Sequence, residues 1–220
     1  VRSELEIDAS TAGELAGKTV AVPLGTAAHY GFLKQMSHFG VDVASLDVVD
    51  MDPPDAAAAL AQGSIDMFCG WGGSLRRALE HGNVLLTGDE KTALGILVFD
   101  VTSGPTGGVA ENGDLVETFL KVTADANQMW NDGGAMAQAA MIPLIAKDAG
   151  MDEESTASTM STFTFPSVAE QLGAGWLGGN AQTFMKGVAD VFVEAGAIDG
   201  ALDSYAGAVN TGPLAAAGGM

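Results

Sequence analysis

Thr19-Val20-Ala21-Val22-Pro23-Leu24-Gly25-Thr26-Ala27-Ala28-His29-Tyr30 holds a strand, a turn and a helix start in twelve residues. The β-branched run beginning at Thr19 predicts a strand that stops at Pro23, and Gly25 predicts a tight turn. A helix follows from about Ala28 to Phe39, with Phe32, Leu33, Met36 and Phe39 on its apolar stripe. The first N–H groups of a helix have no internal partners, and the dipole adds positive potential there. Such a junction is suited to an anion. With 9 Lys+Arg against 28 Asp+Glu, backbone donors rather than a basic patch are expected to hold it.

The neighbouring segments repeat the alternation. Strands are expected at 46–51, 65–71, 84–87 and 96–101, and helices at 55–62, led in by Pro53 and Pro54, and at 74–81. Helices of about ten residues between short apolar strands imply βαβ crossovers and a largely parallel sheet, so the class is α/β. After the Gly/Pro stretch 103–108 the pattern turns helical. Leu115, Phe119, Val122 and Ala126 keep a helical spacing, and further helices are expected at 135–148, 152–159, 168–172 and 181–195. Asn180 reads as an N-cap, Gly196 as a stop, and Pro143 as a kink or break. The tail 214–220 reads as frayed. Helices without a sheet of their own must bury their apolar faces on something else.

Composition narrows the partners. A net charge of -19 argues against nucleic acid and anionic membranes, both of which need Lys and Arg. The acidity reads as solubility or adaptation to a saline habitat. No apolar run reaches the roughly 20 residues needed to span a bilayer, and Val1-Arg2-Ser3-Glu4 reads as the inside of a mature domain rather than a signal peptide. Cys69, the single cysteine, lies in an apolar run and reads as a buried, inert thiol.

No catalytic constellation stands out. Asp66 and the pair Asp89-Glu90 read as surface or strand-end carboxylates. His29, His38 and His81 lack metal-ligand spacing, so no metal and no cofactor is expected. Ser74 is followed by Leu75 and Arg76, which breaks the nucleophile-elbow pattern. Gly70-Trp71-Gly72-Gly73 comes without a Walker lysine or dinucleotide fingerprint. Trp71 ends a strand at the carboxyl edge of the sheet, where α/β ligands collect, and His29 and Tyr30 lie at the same edge. Residue chemistry alone favours the plainer reading of Trp71 as a core plug and His29 as a satisfied surface residue.

A family pattern runs through the chain. Segments 15–23, 26–30, 51–59 and 63–66, then Trp71, Phe99-Asp100 and 120–127, resemble the taurine-binding branch of the periplasmic solute-binding proteins of ABC transporters. So do Phe163-Thr164-Phe165-Pro166-Ser167, 169–172, Trp176-Leu177-Gly178-Gly179, Ile198-Asp199 and Val209-Asn210. The resemblance implies the type II periplasmic-binding fold, two α/β lobes with a ligand cleft at the hinge. Residues 1–13 would be the first crossover, 14–96 lobe two, 97–104 the return crossover and 105–220 the helical remainder of lobe one, with hinges near 8–13 and 99–104. The opening part of lobe one, roughly 80–100 residues by the usual size of such units, is expected to lie outside this sequence. The intact natural protein should then exceed 22.2 kDa.

The resemblance also implies a non-enzymatic role: an extracytoplasmic, periplasmic component, expected as a monomer, that captures taurine or a related small organosulfonate for a cognate ABC permease. Its ligand, a small zwitterion or anion, would meet Gly25, Thr26 and Ala27 at the loop, with His29 and Tyr30 as donors or wall. Trp71 would pack on the carbon chain, and Asp100 would pair with an ammonium group. Where taurine binders tend to read Trp-Asp-Pro, this chain reads Trp71-Gly72-Gly73, which removes a carboxylate and frees space. Other ligands in view are nitrate, an aromatic sulfonate or a thiamine precursor. An enzyme on the same fold, a pyrimidine-precursor synthase that consumes a histidine, is the rival class.

Overall fold

The computed structural model describes residues 1–219, which divide into two compact units. The first takes in Val1–Asp100 with Glu194–Ala197, and the second takes in Val101–Val193 and the residues from Ile198 on.

In the first unit, β1 (Thr19–Val22) leads through α1 (Ala27–Phe39) to β2 (Asp47–Asp50), and α2 (Pro53–Ala61) leads to β3 (Met67–Phe68). α3 (Gly72–Ala78) and α4 (Gly88–Ala93) follow. The three strands form one sheet in the order β2-β1-β3. β1 pairs in parallel with both neighbours, Val20 standing opposite Val48 on one side and Met67 on the other. Two crossover helices make this geometry possible.

Val20, Ala21 and Val22 are completely buried, as a central strand covered on both faces requires. Ala21 packs with Ala56, Ala57 and Leu60 of α2, and with Ile65, Phe68 and Ala78. By strand alternation Val20 and Val22 face the opposite way, and α1, which also packs on β1, buries Phe32 and Met36 completely. Each such side chain contributes about 1.5–3 kcal/mol. The leading residues join this core through Ile7, Ala12 and Leu15, all buried. The Arg2 guanidinium meets the Asp66 carboxylate at 3.1 Å, and the other Asp66 oxygen accepts the Thr19 N–H at 3.1 Å. Asp66 is therefore the strand-end carboxylate that fixes the start of β1.

Among the described residues the second unit is helical: α5 (Thr106–Glu111), α6 (Gly113–Asp132), α7 (Gly134–Ala149), α8 (Glu153–Met160), α9 (Val168–Leu172), α10 (Asn180–Glu194) and α11 (Gly212–Ala217). Asp152 caps α8, its carboxylate accepting the Ser155 N–H at 2.7 Å. α9 opens with a reciprocal capping box between Ser167 and Glu170.

Several expected elements differ. The strand expected at 65–71 is regular only at Met67–Phe68, with Asp66 and Cys69 on either side still donating to Thr19 O and Ala21 O, and the following helix begins at Gly72. No strand forms at 84–87, although Leu85 and Leu86 are buried. The leading segment takes the backbone groups nearby, the Asn83 N–H donating to Val1 O and the Ser3 N–H to His81 O. No strand forms at 96–101 either. A capping box between Thr87 and Glu90 starts α4 instead, and the Ile96 N–H turns back to Lys91 O at 2.8 Å. Leu97, Val98 and Val101 are left exposed, without the partner that a strand needs.

α5 occupies what reads as a Gly/Pro connection. α7 runs unbroken through Pro143; Pro143 and Ala139, whose carbonyl loses its donor, are both exposed, so water can take that bond. Asn180 is the first helical residue rather than the cap. The tail is not frayed over 212–217, because α11 packs on α6 and buries Leu214; Met220, the last residue of that expected frayed tail, lies outside the described residues.

Candidate functional site

All three strands of the sheet end on one edge, and α1, α2 and α3 begin there. β1 is followed by the Leu24–Thr26 loop, β2 by Met51 and Asp52, and β3 by Cys69–Trp71. The chain moves from β1 to the neighbour on one side, then crosses to the other side for β3. In an open parallel sheet this reversal leaves a crevice at the carboxyl ends, here between β1 and β3, where ligands bind. The Gly25 loop and Trp71 flank that switch point.

The loop is built from side chains that use backbone donors in a definite order. The Leu24 N–H donates to the Asp50 carboxylate at 2.9 Å. The Gly25 N–H donates to His29 Nδ1 at 3.2 Å. Thr26 caps α1: its hydroxyl oxygen accepts the His29 N–H at 3.4 Å and donates to Pro23 O at 2.6 Å. The Tyr30 N–H goes to Thr26 O at 3.1 Å. The N–H groups of Thr26, Ala27 and Ala28 are left without a protein partner among the described residues. These three donors lead a helix of 13 residues, with the positive end of its dipole behind them.

Gly25 has φ +74°, a left-handed conformation that other residues adopt at a cost. Its contribution is the turn, since its own donor points to the imidazole. His29 and Tyr30 are both buried. Burial lowers the His29 imidazole below its ordinary pKa, with the Asp50 carboxylate acting against that shift. Burial raises the Tyr30 phenol. Since Nδ1 accepts, neutral His29 carries its proton on Nε2.

Trp71 is 52% exposed, so it is not a core plug, and His29 is not a surface residue. Gly70 beneath Trp71 is required, because a Cβ there would stand 2.1 Å from the Phe68 ring. Cys69 donates its N–H to Ala21 O at 3.0 Å, and burial pushes its thiol up to about 12. Asp100 lies in an exposed, irregular segment rather than on a returning strand. The structure thus brings Gly25, Thr26, Ala27, His29, Tyr30 and Trp71 to one sheet edge, while Asp100 lies on no strand of that sheet. The residue missing from the sequence reading is Asp50. It closes β2 opposite Val22, and aligning the two strand ends would have found it. Among the described residues no group of three or more His, Cys, Asp or Glu could hold a metal, and no helix is long and apolar enough to cross a membrane.

No family model matches the chain. The taurine-binding periplasmic protein of Escherichia coli K12 is 28% identical over 115 residues, which is 52% of this chain and 36% of that protein. Among solved structures, the alkanesulfonate-binding protein SsuA of Xanthomonas axonopodis pv. citri, bound to MOPS, matches with a TM-score of 0.64 at 19% identity. That match covers 88% of this chain and 62% of the other. The periplasmic aliphatic sulphonate binding protein SsuA of Escherichia coli matches with a TM-score of 0.62 at 20% identity, over 87% and 58%. The chain thus spans little more than a third of the curated relative and about three-fifths of these structures. All three are named as binding proteins rather than enzymes. The chain is thus similar in fold, along most of its length, to sulfonate-binding periplasmic proteins, and similar in sequence, along half of it, to a taurine-binding one.

Proposed function

We propose that this chain is part of the extracytoplasmic substrate-binding component of an ABC importer, and that it holds the sulfonate of taurine or a related small organosulfonate at the Thr26–Ala28 backbone. The observation that carries this reading is the set of three unpartnered N–H groups at the β1/β3 switch point. Neutral donors suit a sulfonate in an acidic protein, because no cation has to be buried with the ligand. Trp71 supplies an apolar face for the carbon chain, and Asp100 takes an ammonium group where the ligand has one. Residues 14–96 form one lobe. The helices after 105 belong to the other lobe. Ligand favours a closed arrangement that a permease recognises.

Titration of the protein with taurine, ethanesulfonate, benzenesulfonate, nitrate and a thiamine precursor, read by thermal shift, tests the reading. A true ligand at about 100 times its Kd adds roughly 2.7 kcal/mol. A response to sulfonates that disappears in Ala27→Pro, which removes one of the three donors, supports the site. No response to any sulfonate would overturn it, and turnover with loss of His29 would favour the enzyme reading. Asp100→Ala should weaken taurine far more than ethanesulfonate; equal losses would remove Asp100 from the site.

A further inference from the structure

The second unit contains a cavity that the proposed sulfonate site does not use. It has a volume of about 350 Å³ and is lined by Trp130 and Asn131 at the end of α6, Phe163 and Phe165 ahead of α9, Glu170 within α9, and Trp176 after it. That volume lies within the range of small-molecule sites. The aromatic rings are not stacked into a plug. Trp130 and Phe165 lie 5.9 Å apart at 62°, and Phe163 and Phe165 lie 6.2 Å apart at 58°. Rings set at such angles form walls that meet, and each presents a negative face. The Asn131 side-chain amide donates to Phe165 O at 2.7 Å and ties two of the walls together.

Glu170 supplies the charge. Its Oε2 accepts the Ser167 N–H and the Ser167 hydroxyl, each at 2.7 Å. This capping box fixes the carboxylate in place, and the same two hydrogen bonds hold its carboxyl below the usual carboxylate range. Oε1 takes no part in those two bonds. Aromatic faces with a fixed carboxylate are complementary to a compact, weakly hydrated cation. The surrounding charge of -19 favours such a ligand over an anion.

We propose that the Trp130–Phe163–Phe165–Glu170–Trp176 cavity is a second binding site, selective for a small organic ammonium cation. The aromatic walls take the alkylated nitrogen head, and Glu170 balances its charge.

Calorimetry on the whole chain with choline and its neutral isostere 3,3-dimethyl-1-butanol tests this directly, in the absence of sulfonate. The expected result is saturable choline binding with a Kd of about 1 mM or tighter, with the alcohol at least about fivefold weaker. Trp130→Ala and Phe165→Ala should each weaken choline at least about fivefold, and Trp130→Phe should retain part of the affinity. Glu170→Gln preserves the cap, since Gln serves at that position, and removes only the charge; it should weaken choline and leave the alcohol unchanged. His29→Gln and Asp100→Asn should leave choline binding intact, which separates this site from the sulfonate site. Equal affinity for choline and the alcohol would overturn the proposal. So would indifference to Trp130→Phe and Glu170→Gln together, or no saturable choline binding.

Discussion

His29 joins the Gly25 turn to the buried face of α1, and its proton inventory sets how the loop behaves with pH. Burial disfavours the imidazolium in the folded state, so the folded pKa lies below the unfolded value of about 6.5. The stability contribution is complete above about pH 6.5 and is lost as pH falls toward the lower folded pKa, because the unfolded chain binds more protons in that window. The midpoint of thermal unfolding should fall between pH 6.5 and 5 in the wild type and flatten in His29→Gln, as scanning calorimetry across that range would show. Cys69 gives a second residue-scale prediction. With its thiol pushed up to about 12 and the residue partly exposed, it should react with a thiol reagent at pH 8 slowly in the native state and much faster after denaturation; equal rates would contradict the raised thiol. At this scale the sequence disclosed residue type but not direction. Gly25 and His29 were legible as members of one loop. That the Gly25 donor turns inward to Nδ1, and that Asp50 takes the Leu24 donor, depends on where β2 ends beside β1, which no local pattern states.

Among elements, α1 shows how turn and cap act together. Gly25→Ala meets no neighbour within 4 Å, yet the φ of +74° makes it strained. It should cost about 1–2 kcal/mol, measurable by urea unfolding. Thr26→Ala removes the cap of the same helix and should cost about 0.5–2 kcal/mol. The exposed stripe Leu115, Phe119, Val122 and Met129 on α6 gives a contrasting case. Leu115→Glu should change the stability of this chain by no more than about 0.5 kcal/mol, as urea unfolding would show; a larger loss would mean that the stripe is packed rather than exposed. Strands β1 and β2 and helices α1, α2, α6 and α7 were legible because periodicity and caps are local. The runs at 84–87 and 96–101 have strand composition, yet strand formation requires a neighbour with free backbone groups. Beside 84–87 the leading residues Val1–Ser3 pair instead with 81–83, and over 96–101 the chain turns back on α4 at Ile96 without forming a strand.

For the whole molecule, electrostatic repulsion between surface carboxylates acts against the fold. A surplus of 19 negative charges opposes compaction, and salt screens it over about 10 Å at 0.1 M. The unfolding midpoint should rise from low salt to moderate sodium chloride, and sulfonate binding through backbone donors should strengthen in the same direction. The placement of the three tryptophans carries a different kind of consequence. Trp71 is the first unit's single indole, half in water at the switch point, while Trp130 and Trp176 line the cavity of the second. Emission from a variant keeping only Trp71 therefore reports on the sheet edge, and emission from Trp71→Phe reports on the aromatic cavity. Each compact unit carries its own fluorophore, so ligand occupancy can be followed in either one without attaching a label.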